Sequence, residues 1–157
     1  MLKPDLKYNL IPAHDERLST VCEEVRKEHT DTALLPELIE NMYRIMEDKG
    51  GIGLAAPQVG VLLRIIVIKY GATEATIFNP VITKTPGKII TSLNEGCLSY
   101  PNTRASIKRY KRVIVEGYNK EWKKVRYDFR GTAAFCAQHE IDHLNGITLR
   151  HPKKKEV

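Results

Sequence analysis

The pentad His139-Glu140-Ile141-Asp142-His143 constrains this chain more than any other feature. Residues four apart on a helix share a face, so H-E-x-x-H sets two imidazoles side by side with a carboxylate beside them. That is the donor geometry of a catalytic divalent-metal site. The flanking residues agree with a helix. Thr132 to Gln138 contain neither Pro nor Gly. Thr132, after Gly131, is the expected N-cap, and Gly146 the expected stop. Ala134, Ala137, Ile141 and Leu144 form the apolar face, and the histidines are expected where that face meets a cleft. The plainer alternative is an ordinary amphipathic helix with a solvated Glu140, since H-E-x-x-H also arises by accident.

Two histidines rarely hold a metal alone, so a third ligand is needed. Position 149 is Leu, which closes the H-E-x-x-H-x-x-G-x-x-H route although Gly146 is in place. Beyond His143 the only carboxylate side chain is Glu156, in a Lys-rich tail, and His151 adjoins Pro152. An upstream ligand is therefore expected, and Cys97 is the best candidate. It sits in Asn94-Glu95-Gly96-Cys97-Leu98-Ser99-Tyr100-Pro101, read as a loop in which Gly96 permits close approach and Pro101 ends regular structure. A thiolate is a strong ligand for a borderline metal. With two neutral imidazoles it leaves about one net positive charge and a fourth position open for water. The alternative for Cys97 is a buried free thiol.

Three short motifs in order carry a wider likeness. They are Gly51-Ile52-Gly53-Leu54-Ala55-Ala56-Pro57-Gln58, Glu95 to Ser99, and Gln138 to His143. In these the chain resembles the peptide deformylase family, over roughly residues 5 to 150. The resemblance implies that Cys97, His139 and His143 ligate the metal and that Glu140 is the general acid/base. The metal then lowers the pKa of water toward about 7, and the hydroxide attacks the formyl carbon of an N-formyl-methionyl peptide. Glu140 takes the proton and hands it to the leaving amine, and formate departs. The resemblance assigns the oxyanion to the Gln58 side-chain amide and the Leu98 N–H, together with the metal.

Ile52 and Gly53 are expected at the substrate, with the backbone of residues 52–54 pairing an extended peptide. The resemblance places Arg104 at the approach to the cleft, in contact with the substrate backbone; the alternative is a solvated surface residue. Glu95 is read as structural, paired with Arg109 to fix the segment carrying Cys97. Phe135 and Cys136 are candidate walls of a methionine pocket. Family members often carry an aliphatic residue where Phe135 sits, so its ring narrows the pocket, or else belongs to the core. Ligand chemistry alone favours zinc. The resemblance implies ferrous iron, Fe2+, with nickel or cobalt as active substitutes, and an oxygen-sensitive centre.

Two other functions compete with this one. A metalloendopeptidase is opposed by Leu149 and by Cys97. A non-catalytic, ribosome-associated metal-binding module is opposed by the joint presence of Gln58, Cys97, Leu98, His139, Glu140 and His143. Residues 51–58 have their own plain alternative, a helix-to-strand connection with turn glycines.

The rest of the sequence bounds the setting. A chain of 157 residues, 42% hydrophobic, is expected to form a single domain over 1–157. No run is apolar enough to cross a membrane, and Met1 to Asp5 lack signal-peptide character. Cys22, Cys97 and Cys136 have no disulfide spacing, which argues for a reducing compartment: cytoplasmic, in a bacterium or in the host of a phage. The net charge of +6 is read either as a soluble basic surface or as proximity to ribosomal RNA. No DNA or membrane partner is expected; the partners are nascent N-formyl-methionyl peptides, with transient ribosome proximity as the second reading, and the protein is expected to be a monomer. The long C-terminal helix of many bacterial members is not expected here, since the residues after the metal helix read as Lys153-Lys154-Lys155-Glu156-Val157, so ribosome docking through it is not carried over. Short-tailed members include viral ones, which leaves a phage origin open.

Leu35, Leu38, Ile39, Met42, Ile45 and Met46 make one helical stripe, with Asp31 or Thr32 as start and Gly50 as stop. Strands are expected over 62–70, 76–83 and 88–93. Residues 113–118 and 125–130 are expected to form a hairpin about Asn119-Lys120-Glu121, with Val125, Tyr127 and Phe129 inward. The expected fold is α+β: antiparallel sheets around a central H-E-x-x-H helix, with an N-terminal helix.

Overall fold

Ile65-Ile66-Val67-Ile68 is buried along its whole length, as a strand covered on both faces must be. Ile66 and Ile68 pack toward one layer of the core, Ile65 and Val67 toward the other. The computed structural model describes residues 8–150. The N-terminal segment Met1–Asp5, His151, Glu156 and Lys153–Lys155 therefore lie outside it.

In chain order the elements are a 3-10 turn at Glu16–Ser19, α1 (Lys27–Thr30), α2 (Leu34–Asp48), β1 (Gly53–Ala55), a 3-10 turn at Ala56–Val59, β2 (Ile65–Tyr70), β3 (Thr73–Lys84), β4 (Ile89–Cys97), β5 (Tyr100–Tyr110), β6 (Arg112–Tyr118), β7 (Lys124–Arg130) and α3 (Thr132–Leu144). The strands form a five-stranded sheet in the order β1-β2-β3-β6-β7 and a two-stranded sheet β4-β5. Every pairing between these strands is antiparallel. The architecture is α+β, with the pentad helix α3 at its centre. It packs against β1, β2 and β7 of the larger sheet and β5 of the smaller one.

Helix α2 covers the opposite face of the larger sheet. Its stripe Leu35, Leu38, Ile39, Met42, Ile45 and Met46 is buried against Leu54, Ile65, Val67 and Phe78. Each such side chain contributes roughly 1.5–3 kcal/mol of gross burial energy. The helix starts at Leu34 rather than at Asp31 or Thr32, and no side chain caps it. Pro36 explains the late start, because proline is tolerated only in a helix's first turn. Gly50 does follow the helix, at φ +69°, the left-handed stop glycine permits.

The β6–β7 hairpin forms as expected, with Phe129 buried and Val125 and Tyr127 against the core. The segment between Asn94 and Pro101 is not the expected loop. Strand β4 runs through Cys97, and β5 begins at Tyr100 and continues past Pro101. Register shifts separate Ser92 from Glu95 and Glu95 from Cys97, and Asn94 has φ +53°. Asn94 thus lies in a bulge of β4, while at the second shift the extra residues, 101–104, lie on β5 opposite Gly96; such irregularities bend a strand and re-aim its side chains. Pro101 fits because each strand of a two-stranded sheet has one unpaired side that asks no N–H of it.

Candidate metal centre

Helix α3 begins after Gly131, whose φ of +56° and lack of a side chain make it the N-cap in place of Thr132. Asn145 and Gly146 end it, Gly146 at φ +70°. The 3.6-residue turn then sets His139 beside His143, with Nε2 atoms 3.2 Å apart and rings at 69°. The irregular end of the β4–β5 pair brings Cys97 to the same point, its Sγ 3.4 Å from His143 Nε2. One sulfur and two nitrogens lie within 4.8 Å of one another. Three ligands at about 2.0–2.3 Å from one tetrahedral ion stand roughly 3–4 Å apart. The donor set therefore fits a single divalent metal.

A buried charge network orients His139. Arg109, 5% exposed, forks onto Glu95 through Nη2 at 2.8 Å and Nε at 3.0 Å, and reaches Asp142 through Nη1 at 2.5 Å. The expected Glu95–Arg109 pair is present. Glu95 Oε1 in turn lies 3.1 Å from His139 Nδ1. A proton on that Nδ1 leaves Nε2 as the donor toward the metal position. Burial works to raise the Glu95 carboxyl, but the hydrogen bonds from His139 and Arg109 outweigh it and hold it at about 2. Burial likewise works to lower His139, yet Cys97 and Glu95 push it up to about 10. Burial, aided by His139, drives His143 well down. The surroundings of His139 thus favour a positive charge at the three donors, which a cation supplies as well as a proton.

Glu140 is 4% exposed, and its Oε2 has no hydrogen-bond partner. Burial pushes its carboxyl up to about 7, against the pull of His139 and Arg109. The sequence would place such a carboxylate in solvent on a plain helix. Packing of the sheets across α3, with Gly53 of β1 closest to the carboxylate, encloses it.

Gln58 is 1% exposed in the turn after β1. Its Oε1 accepts from the Ala55 N–H at 3.0 Å, which turns Nε2 toward Ser99 Oγ at 3.0 Å and Cys97 Sγ at 3.5 Å. A cleft of about 910 Å³ opens over the centre, lined in part by Gln58, Cys97, Leu98, His139 and Glu140. Ile52, Gly53, Arg104, Phe135 and Cys136 line it too. Arg104 is exposed, with its guanidinium over Gly96. Phe135 is half-buried and stands outside the core clusters. Gly51 to Ala55 are not a plain connection: Gly53–Ala55 form β1, the edge strand of the larger sheet beside the cleft.

Sequence reasoning assigned no task to Ser99, Gln138 or Asp142. Ser99 holds the Gln58 amide. Gln138 closes two hydrogen bonds with the Tyr110 backbone and a third with Ala134 O, tying α3 to β5. Asp142 completes the Arg109 fork. Their signal was polarity inside otherwise buried motif segments.

An α+β fold with an H-E-x-x-H helix beneath an open cleft defines a metal-dependent hydrolase. The family described as polypeptide deformylase matches residues 7–156. A peptide deformylase of Thermodesulfovibrio yellowstonii is 42% identical over 151 residues, 91% of this chain and 88% of that one. The PDF of Vibrio parahaemolyticus bacteriophage VP16T, solved with actinonin, is 39% identical with a TM-score of 0.79, covering 88% of this chain and 98% of that one. The class I type b peptide deformylase of Acinetobacter baumannii, solved with Met-Ala-Ser, is 26% identical with a TM-score of 0.85, covering 94% and 98%. The chain belongs to the polypeptide deformylase family, a family of metalloenzymes.

Proposed function

We propose that this chain removes the N-formyl group from the formyl-methionine of newly made polypeptides, using a metal held by Cys97, His139 and His143. The observation that carries this reading is the meeting of those three donors beside a buried Glu140 at the cleft. A bound divalent metal supplies Lewis acidity, making water nucleophilic near neutral pH.

The chain's own residues do the rest. Glu140, with its carboxyl near 7, accepts a proton from the attacking water and returns it to the departing amine. Gln58 Nε2 and the Leu98 N–H donate to the oxygen that gains charge. The free edge of β1, at Ile52 and Gly53, pairs the extended peptide. Phe135 and Cys136 wall the methionine side chain, and Arg104 meets the peptide backbone. The Met-Ala-Ser held by the Acinetobacter enzyme supports a peptide running along this cleft.

Ferrous iron is the proposed working metal, nickel and cobalt active substitutes, and zinc the one that ligand chemistry alone prefers. The protein acts as a single domain and a monomer in the cytoplasm, where nascent chains and a reduced thiolate coexist. No helix among the described residues is long and apolar enough to cross a membrane.

The test is formate release from N-formyl-Met-Ala-Ser by protein loaded anaerobically with iron or nickel. Chelation is expected to abolish release, and added nickel to restore it. A protein with one metal per chain and no formate release sinks the reading.

Gly53 offers a finer test. A Cβ there meets Cys136 Sγ and stands 2.8 Å from Glu140 Oε1. Gly53→Val is expected to displace the Glu140 carboxyl and lower kcat/KM by about 10- to 100-fold at unchanged metal content. Full activity in that variant refutes the close packing of β1 on the acid/base.

A further inference from the structure

The charge of this chain is unevenly placed. The net charge is +6 overall, and residues 111–130 hold seven Lys and Arg against three Asp and Glu. Residues 23–49 lean the other way, with eight acidic and four basic side chains. In the fold these stretches are the β6–β7 ribbon and the α1–α2 region.

Strand β7 is the outer edge of the larger sheet. Alternation turns Val125, Tyr127 and Phe129 to the core and leaves Lys124, Arg126, Asp128 and Arg130 exposed. Asp128 pairs with Arg112 and Arg130 and offsets much of their charge. Lys120, Lys123, Lys124 and Arg126 are also exposed, and none is in an ion pair among the described residues. Glu121 in the turn and Glu116 opposite Arg126 are the nearby acids. The turn end of the ribbon is therefore a positive surface with cations free to meet an external anion.

We propose that this end of the β6–β7 ribbon docks on the phosphate backbone of structured RNA. The RNA is ribosomal if the function proposed above holds, and on that reading alone. Three observations favour RNA. Binding to a lipid surface draws on apolar side chains inserted beside the cations. The exposed large hydrophobics among the described residues are Val21, Tyr70, Val81, Ile89, Ile90 and Leu93, and none lies in 111–130. The ribbon's aromatics, Tyr118 and Trp122, stack on each other at 4.5 Å and pack toward the α2 core. They are not presented to bases, so recognition rests on phosphate charge and not on base stacking. Finally, β7 and β1 are opposite edges of the five-stranded sheet, about 19 Å apart at the usual strand spacing of about 4.8 Å. A chain anchored through β7 keeps the β1 edge and its cleft open to a peptide.

The test uses nickel-loaded protein with two probes: a labelled RNA duplex, followed by anisotropy as salt is raised, and purified large ribosomal subunits, followed by sedimentation. The variant replaces Lys120, Lys123, Lys124 and Arg126 with Gln, and replacement of the exposed Lys27, Arg44, Lys84 and Lys88 with Gln is the charge control. The ribbon variant is expected to bind both probes at least tenfold more weakly. Its log-affinity against log-salt slope is expected to be shallower by about 0.9 for each phosphate it no longer neutralises. Formate release from a short peptide is expected to stay unchanged. Equal binding by the ribbon variant and the parent overturns the proposal, and so does tighter binding to anionic phosphatidylserine vesicles, run as a third probe by co-sedimentation, than to RNA. Ribbon-dependent duplex binding without subunit binding overturns the ribosomal assignment. Ribbon-dependent RNA binding by a protein that releases no formate upholds the surface and overturns the deformylase reading instead.

Discussion

Glu140→Ala is expected to lower kcat for formate release by about 10²- to 10⁴-fold, the usual worth of a positioned acid/base. Metal content is expected to stay at the parent's level, because the three donors belong to Cys97, His139 and His143, and Glu95 with Arg109, not Glu140, orients His139. The fold is expected to tolerate the change. Glu140 Oε2 accepts no hydrogen bond from the described residues, so truncation breaks no bond within the fold. The thermal midpoint should therefore not fall. A variant that loses its metal along with its activity would move Glu140 from acid/base to structural support. One that keeps turnover would remove the assignment altogether.

Arg109→Leu is expected to be the costliest single change in stability, about 3–5 kcal/mol, because it strands a buried charge. Glu95 is held at about 2 despite its burial, by His139 and Arg109 together. Without the guanidinium that carboxylate keeps His139 but not its bidentate partner, and Asp142 is left without its ion pair. Urea unfolding would register the change as a lowered midpoint. Metal affinity is expected to drop by about 10- to 100-fold, since Glu95 sets the orientation of His139. Arg109→Lys should recover only part of either effect, because an ammonium cannot fork to two carboxylates. Unfolding of Arg109→Leu at the parent's urea midpoint would show that the network contributes nothing to stability.

Much of the site was legible in the chain because its parts are local. H-E-x-x-H carries its own geometry through the helical turn, and the α2 stripe and the Ile65–Ile68 run carry theirs through period and length. The bulged end of β4 was not legible. Asn94, Gly96 and Pro101 have the composition of a loop, and only pairing with β5 makes a strand of that segment. Strand β1 was hidden for a similar reason: three residues of a glycine-rich stretch become a strand only because β2 lies beside them.

By itself, then, the sequence determined the residues of the metal centre, the helix that presents two of them and the α+β class, since each follows from spacing along the chain. The tertiary structure decided the burial of Glu140, the meeting of Cys97 with two histidines more than forty residues away, and the Arg109 fork joining β4 to α3. These depend on which surfaces exclude water from which groups, and on where bulges turn side chains. Desolvation and long-range pairing are properties of the packed molecule, and no periodicity in the chain encodes them.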